Sequence, residues 1–255
     1  MPDLTRNGQP EKTHDLSPGP TGTRTTLLVA LPTEPSWQDM AFLAAVPAAT
    51  VVNSGAPSLI ALDASGALSP EIQDYARRYR PDTVFLLGGA AEGVVVAGRT
   101  CSVLKAGSAD EAACTLSAKF WRACALAVIC QDDDYEAGLV AAPLAARLRA
   151  PLLFAGAQGL SQPAAKELRR LQARELIVVG KLAGALQSLK QVTEQVAELA
   201  GARDVMSWVR KRGLSVAYLA ALNPLDRSKT VIKKLSLSGA LLAAGRDGLV
   251  APLPY

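Results

Sequence analysis

The sequence predicts an α/β protein built from tandem three-layer repeats, with small, mostly parallel sheets flanked by helices and a third repeat that is incomplete. Three observations predict it. Short apolar runs of strand length alternate with helical patterns through residues 25–255, as parallel strands joined by crossover helices require. The same order of parts recurs, its first strands marked by Val29, Val128 and Val216 at intervals of 99 and 88 residues. A Leu-Ser-(x)-Pro helix opener stands at one place in both of the first two copies, as Leu68-Ser69-Pro70 and Leu160-Ser161-Gln162-Pro163.

Residues 1–23 are rich in Pro, Gly, Thr and charge, and hold no apolar run of the kind a secretion signal needs. They read as a disordered tail. The first repeat, residues 24–124, opens with a strand at 26–31. A polar turn through Trp37 and Asp39 leads to a small-residue helix from Met40, then a strand at 58–62, the helix opened by Ser69 and a buried strand at 83–87 closed by Gly88-Gly89. Residues 94–97 read as a short strand that adds to this sheet, and 109–121 as a connecting helix.

The second repeat, residues 125–213, follows the same order: a strand at 126–130, a polar turn through Asp132-Asp133-Asp134, a helix at 137–148, a strand at 151–154, the helix opened by Ser161 and a strand at 176–180. Residues 186–212 read as helical, broken near Gly201. A third, partial repeat occupies 214–255, with a strand at 215–221, a turn through Asn223 and Asp226, a helix at 238–244 and a strand at 248–252. In both openers Ser satisfies orphan amides at the helix start, and Pro suits the first turn, where its missing N–H costs nothing.

Composition narrows the function. The chain has 255 residues, 49% hydrophobic and 20% charged, with a net charge of +4, which permits anionic partners without the concentrated basic stripe of a nucleic-acid binder. Its longest apolar stretch, residues 41–52, contains Pro47, and nothing reads as a membrane span. The single histidine, His14, lies in the tail, so neither a Ser-His-Asp arrangement nor a histidine-ligated zinc can form in the folded part. Cys101, Cys114, Cys124 and Cys130 fit no zinc spacing and read as small buried hydrophobes. GxGxxG and GxxxxGK[ST] are both absent, so no cofactor is implied.

Ligands of open parallel sheets sit beyond the carboxyl ends of the strands. The loops there offer Trp37 and Asp39, then Asp132, Asp133, Asp134 and Glu136, then Asn223 and Asp226 as candidate contacts. Each loop feeds a helix N-terminus, so its acids have helix capping as the plainer role. A purely structural repeat scaffold is one alternative function; for the other, a hydrolase or phosphoryl-transfer enzyme, Asp132 and Asp134 are also spaced to hold a divalent cation. Against it, the run has no counterpart in the other copies, where Glu34 and Asp226 are offset. Basic residues form a second candidate set: Arg77, Arg78 and Arg80 on one helix, Arg169 and Arg170 with Lys166 on its counterpart, and further clusters at Arg210-Lys211-Arg212 and Lys233-Lys234. A repeated basic face suits an anionic polymer held by many weak contacts. Aromatics, at 5%, are too few for a base-stacking nucleic-acid surface.

The segment 136–154, with 176–180 after it, resembles the cell-wall-binding repeat 2 family: an acidic residue before an Ala/Leu helix, a Pro-Leu-Ala segment, an apolar strand opened by Pro, and a later strand ending in glycine. The first copy matches through residues 39–49, 57–62 and 84–89, and the third through 238–252, with Ser238 where Asp39 and Glu136 carry the acid. The resemblance implies a non-catalytic surface module, usually three copies in a pseudo-threefold arrangement, that attaches proteins to anionic cell-wall polymers at a cell-surface or extracellular location. A partial third copy implies a fragment of a longer protein and an open sheet edge, whose partner would be the remainder of the polypeptide or another copy.

Overall fold

The computed structural model describes residues 25–30, 37–52, 57–62, 68–88, 94–182, 186–193, 195–224 and 231–253. The first repeat contains β1 (Thr25–Ala30), α1 (Gln38–Val52), β2 (Ser58–Leu62), α2 (Pro70–Tyr79), β3 (Thr83–Leu87), β4 (Val95–Val96), β5 (Arg99–Thr100), β6 (Ser102–Leu104) and α3 (Ala109–Phe120). The second contains β7 (Leu126–Gln131), α4 (Tyr135–Arg147), β8 (Leu152–Ala155), α5 (Gln162–Leu171), β9 (Glu175–Val179), α6 (Leu186–Lys190), β10 (Gln195–Leu199) and α7 (Ala202–Lys211). The third contributes β11 (Tyr218–Leu222), α8 (Val231–Asp247) and β12 (Gly248–Pro252).

The sheets repeat one plan. The first runs β2-β1-β3-β6 and the second β8-β7-β9-β10, every pair parallel, while the third is the parallel pair β11-β12. In the second sheet, residues 127–130 and 176–179 are buried throughout, because helices cover both faces of a parallel sheet. The fourth strand is tied in identically in the two complete sheets. Gly88 N donates to Leu104 O at 3.0 Å, and Gly180 N to Leu199 O at 2.9 Å. Both glycines have positive φ, 119° and 88°, the backbone turn that lets this bond form.

The second helices are also alike. Ile72 N donates to Ser69 Oγ at 3.4 Å and Ala164 N to Ser161 Oγ at 3.0 Å, and both helices end on a left-handed residue, Arg80 or Gln172. The serine caps read from the sequence are therefore in place.

Two elements differ from the sequence reading. Residues 94–97 do not extend the first sheet: Val95–Val96 turns back through Ala97 and Gly98 to pair antiparallel with Arg99–Thr100, and the sheet's fourth strand is Ser102–Leu104 instead. Residues 186–212 are not continuous helix either, since Gln195–Leu199 is a strand parallel to β9. Ala and Glu in that strand have little β-propensity, so pairing rather than local preference decides its conformation.

The core lies where the first helices meet. The side chains of α1 from Met40 to Ala49 are buried, and α4 is buried from Ala137 to Ala146. A helix apolar on all sides belongs in an interior. The helices α1, α4 and α8 pack on one another pairwise, and each also reaches the second strand of another repeat: α1 on β8, α4 on β12, and α8 on β2. The last contact closes the ring, giving a pseudo-threefold arrangement. Small residues permit the close approach. A Cβ on Gly138 would lie 2.7 Å from Leu43 Cδ1, and one on Gly245 would lie 2.7 Å from Ala146 Cβ.

The first repeat locks onto the second through α3, which packs on β8 and α5. Trp121 Nε1 donates to Arg149 O at 2.8 Å, and Ser161 Oγ to Asp110 Oδ2 at 2.6 Å.

Candidate functional site

At the carboxyl end of the second sheet the aspartates divide their roles. Asp134 is the N-cap of α4: its Oδ1 accepts from Ala137 N at 2.9 Å and its carbonyl from Gly138 N at 2.9 Å. Asp133 Oδ1 accepts from Gln131 Nε2 at 2.7 Å. Asp132 is half-buried, and burial raises its pKa, with Asp133 adding repulsion and Asp110 a smaller share. Among the described residues no three His, Cys, Asp or Glu side chains gather to hold a metal ion. Asp134 serves the helix start, its carboxylate drawn onto an α4 amide.

The loop closes tightly over this point. A Cβ on Gly180 would stand 2.7 Å from Ala137 Cβ and 3.1 Å from Asp134 Oδ2, so the turn after β9 lies directly on the α4 N-terminus. Beneath it Cys130 is buried, and its thiol is pushed up by burial first, then by Asp134 and Asp132. Burial likewise raises Cys101, and Cys114 is pushed up to about 12 by burial and then by Asp110. The four cysteines are free thiols, two buried and two half-buried, in keeping with their reading as small apolar side chains.

The remaining loop candidates take separate places. Trp37 is half-buried against the core, and its carbonyl accepts from Ala41 N at 2.9 Å as α1 begins. Asp39 is half-buried in the first turn of α1, and Glu136 is exposed in the first turn of α4, each a carboxylate favoured by the helix dipole. Asn223 is exposed just beyond β11. Asp226 lies outside the described residues, as does Glu34. The structure thus gathers the second-repeat acids at one loop, at the start of α4.

The arginines separate more sharply. Arg170 forms a fork with the buried Glu167, Nε to Oε2 at 2.8 Å and Nη2 to Oε1 at 2.6 Å. The same guanidinium donates to the carbonyls of Trp121 at 2.8 Å, Arg122 at 3.2 Å and Ser117 at 3.3 Å. It is consumed in holding the end of α3, so its place among the candidate ligand contacts is corrected to a structural clamp. Arg78, at the equivalent position of α2, pairs with Asp74 in solvent.

Arg77 and Arg169 are equivalent to each other, both three residues before the left-handed cap, and both line open concavities. Arg77 shares one of about 290 Å³ with Arg80, Arg99, Pro81, Asp82 and Ala97. Arg169 shares another with Lys166, Gln162, Pro163 and Ala165. Arg99 escaped the sequence reading because the β4–β5 hairpin carries it there. The signal was the Ala97-Gly98 pair, whose φ values of 49° and 77° make a two-residue hairpin turn of the primed type.

Neither a family model nor a curated protein matches this sequence. The fold does match solved structures. Cwp6 from Clostridium difficile aligns with a TM-score of 0.64 at 12% identity, over 91% of this chain and 38% of that one. Cwp8 from Clostridium difficile aligns with a TM-score of 0.65 at 17% identity, over 91% of this chain and 40% of that one. Both are cell wall proteins, and this chain spans about two-fifths of the length of each. The likeness establishes a shared fold.

Proposed function

We propose that this chain is a non-catalytic module that attaches to an anionic polymer of a cell wall or cell surface. The observation that carries the reading is the recurrence of one arginine, Arg77 and Arg169, on equivalent helices and in separate open concavities. A guanidinium offers a planar fork that matches phosphate or carboxylate, and Arg80, Arg99 and Lys166 raise the local positive charge. Each contact is weak alone. Two on one rigid body gain avidity when a polymer spans them, which suits acidic polysaccharide better than a small substrate. The shared fold with two cell wall proteins supports the same reading, and with it a cell-surface or extracellular location.

Sedimentation with purified cell walls tests it. The chain co-sediments at low salt and is released as ionic strength rises, because exposed charge pairs are screened. Arg77→Glu combined with Arg169→Glu weakens retention by about tenfold or more, as reversal of interfacial charges does. Absence of retention at low salt, or retention that ignores both salt and this double variant, disposes of the proposal.

A further inference from the structure

We infer, on the basis of the polymer-binding reading, that the β4–β5 hairpin is the specificity element of the first-repeat concavity. Arg99, at its turn, completes a cradle of three guanidinium groups for one oxyanion group of the polymer. The two concavities are built differently. In the second repeat the described residues that line it, Gln162, Pro163, Ala165, Lys166 and Arg169, all belong to α5, so its volume of about 730 Å³ is walled from one side. In the first repeat about 290 Å³ is bounded by three separate pieces of backbone. Arg77 comes from the last turn of α2, Arg80 with Pro81 and Asp82 from the turn that follows, and Ala97 with Arg99 from the hairpin. The connection between β9 and β10 carries α6 in place of such a hairpin.

The placement of Arg99 follows from its cross-strand partner. Val96 and Arg99 face each other across the hairpin, and residues directly opposed in an antiparallel pair share a face. Val96 is fully buried, in a small apolar cluster with Ile72 and Ala76 of α2. This anchor turns the same face of the hairpin, and Arg99 with it, towards α2. Val95 and Thr100 are exposed on the opposite face. Arg80 is held by its left-handed backbone, φ 52°, with its N–H on Ala76 O at 2.9 Å. Arg77 lies 3.8 Å from Asp74, at the limit for an ion pair, while Arg78 takes that carboxylate more closely. The carboxyl end of α2 by itself disfavours an anion, so the cradle depends on its arginines. Three guanidinium groups outnumber the one carboxylate on the same wall, Asp82. Planar forks arriving from different directions surround a phosphate or carboxylate, whereas Lys166 and Arg169 reach it from one helix face.

The test follows binding of the whole chain to purified cell walls at fixed low salt, as a curve against wall concentration. Arg99→Ala weakens binding at least ~tenfold, and Lys166→Ala less than ~threefold. Arg99→Lys keeps the charge without the fork and stays closer to Arg99→Ala than to the parent chain. Gly98→Val changes no charge, but a β-branched residue at φ 77° distorts the turn and lowers binding as Arg99→Ala does. A Cβ there meets nothing within 4 Å, so the core is left alone. If Gly98→Val nonetheless lowers the urea midpoint, Arg99→Lys on the exposed hairpin still decides. Displacement of the bound chain by polyphosphate or by oligogalacturonate, matched in charge, tells phosphate from carboxylate, and displacement by neither overturns the oxyanion cradle. Equal losses in Arg99→Ala and Lys166→Ala, or full recovery in Arg99→Lys, overturn the inference while salt-released wall binding, and the polymer reading with it, stands. A parent chain that the walls fail to retain at low salt overturns both.

Discussion

Arg170 and Arg78 occupy one position in two copies of one helix and do different work, because only the first has another helix beside it. Arg170 spends its donors on Glu167 and on three carbonyls at the end of α3. Removing it leaves the buried Glu167 without its cation, so Arg170→Ala costs about 2–3 kcal/mol in urea denaturation, somewhat below the range for fully buried pairs because Arg170 is partly exposed. Arg78→Ala breaks a surface pair and costs less than about 1 kcal/mol. At Ala97 the backbone is left-handed with φ 49°. Glycine removes the Cβ penalty there, and Ala97→Gly stabilises the chain by about 1 kcal/mol, read as a higher urea midpoint.

Cys114 gives a prediction with a definite sign. Its folded pKa, about 12, is above the ordinary thiol value of 9.0, so the unfolded chain releases the thiol proton first as pH rises. The contribution to stability is whole below pH 9 and is lost between there and about 12. Denaturation midpoints measured across that window fall, and Cys114→Ala flattens the decline.

Among elements, the sequence announced those with local chemistry of their own. Ser69 and Ser161 were legible because a cap is written in neighbouring residues, and the buried runs of β7 and β9 because Val, Ile and Leu crowd there. Gln195–Leu199 was not legible, since β9 supplies the reason it is a strand. Arg99 was missed for a related cause: its place beside Arg77 depends on a turn of two residues. The polar loops carry two readings in sequence, and capping is the plainer one. Asp134 takes it, its carboxylate accepting from an α4 amide. The glycines of the central helices offer a matched pair of tests. Gly245→Ala drives a Cβ against Ala146 Cβ and destabilises by about 1–3 kcal/mol despite a better helix former. Gly138→Ala meets the ends of the flexible Leu43 and Met40 side chains and costs much less in the same denaturation series.

For the molecule as a whole, one apolar cluster runs from α1 through α4 to α8 and takes in residues of all three repeats. Calorimetry is therefore expected to show one transition whose van't Hoff and calorimetric enthalpies agree, not a separate one for each repeat. Two transitions would mean that the repeats hold their cores separately.

The closure of α8 on β2 sets the order in which this body can be assembled. Strand β2 lies in the first third of the chain and α8 near its end, so a ribosome delivers the face long before it delivers the cover. Until α8 arrives, the flank of the first repeat that it seals stays wet and apolar. Contacts so distant in sequence form late and slowly, and chains caught in that interval are the ones prone to stick to one another. The ring that makes the finished molecule cooperative thus places its period of greatest vulnerability during synthesis.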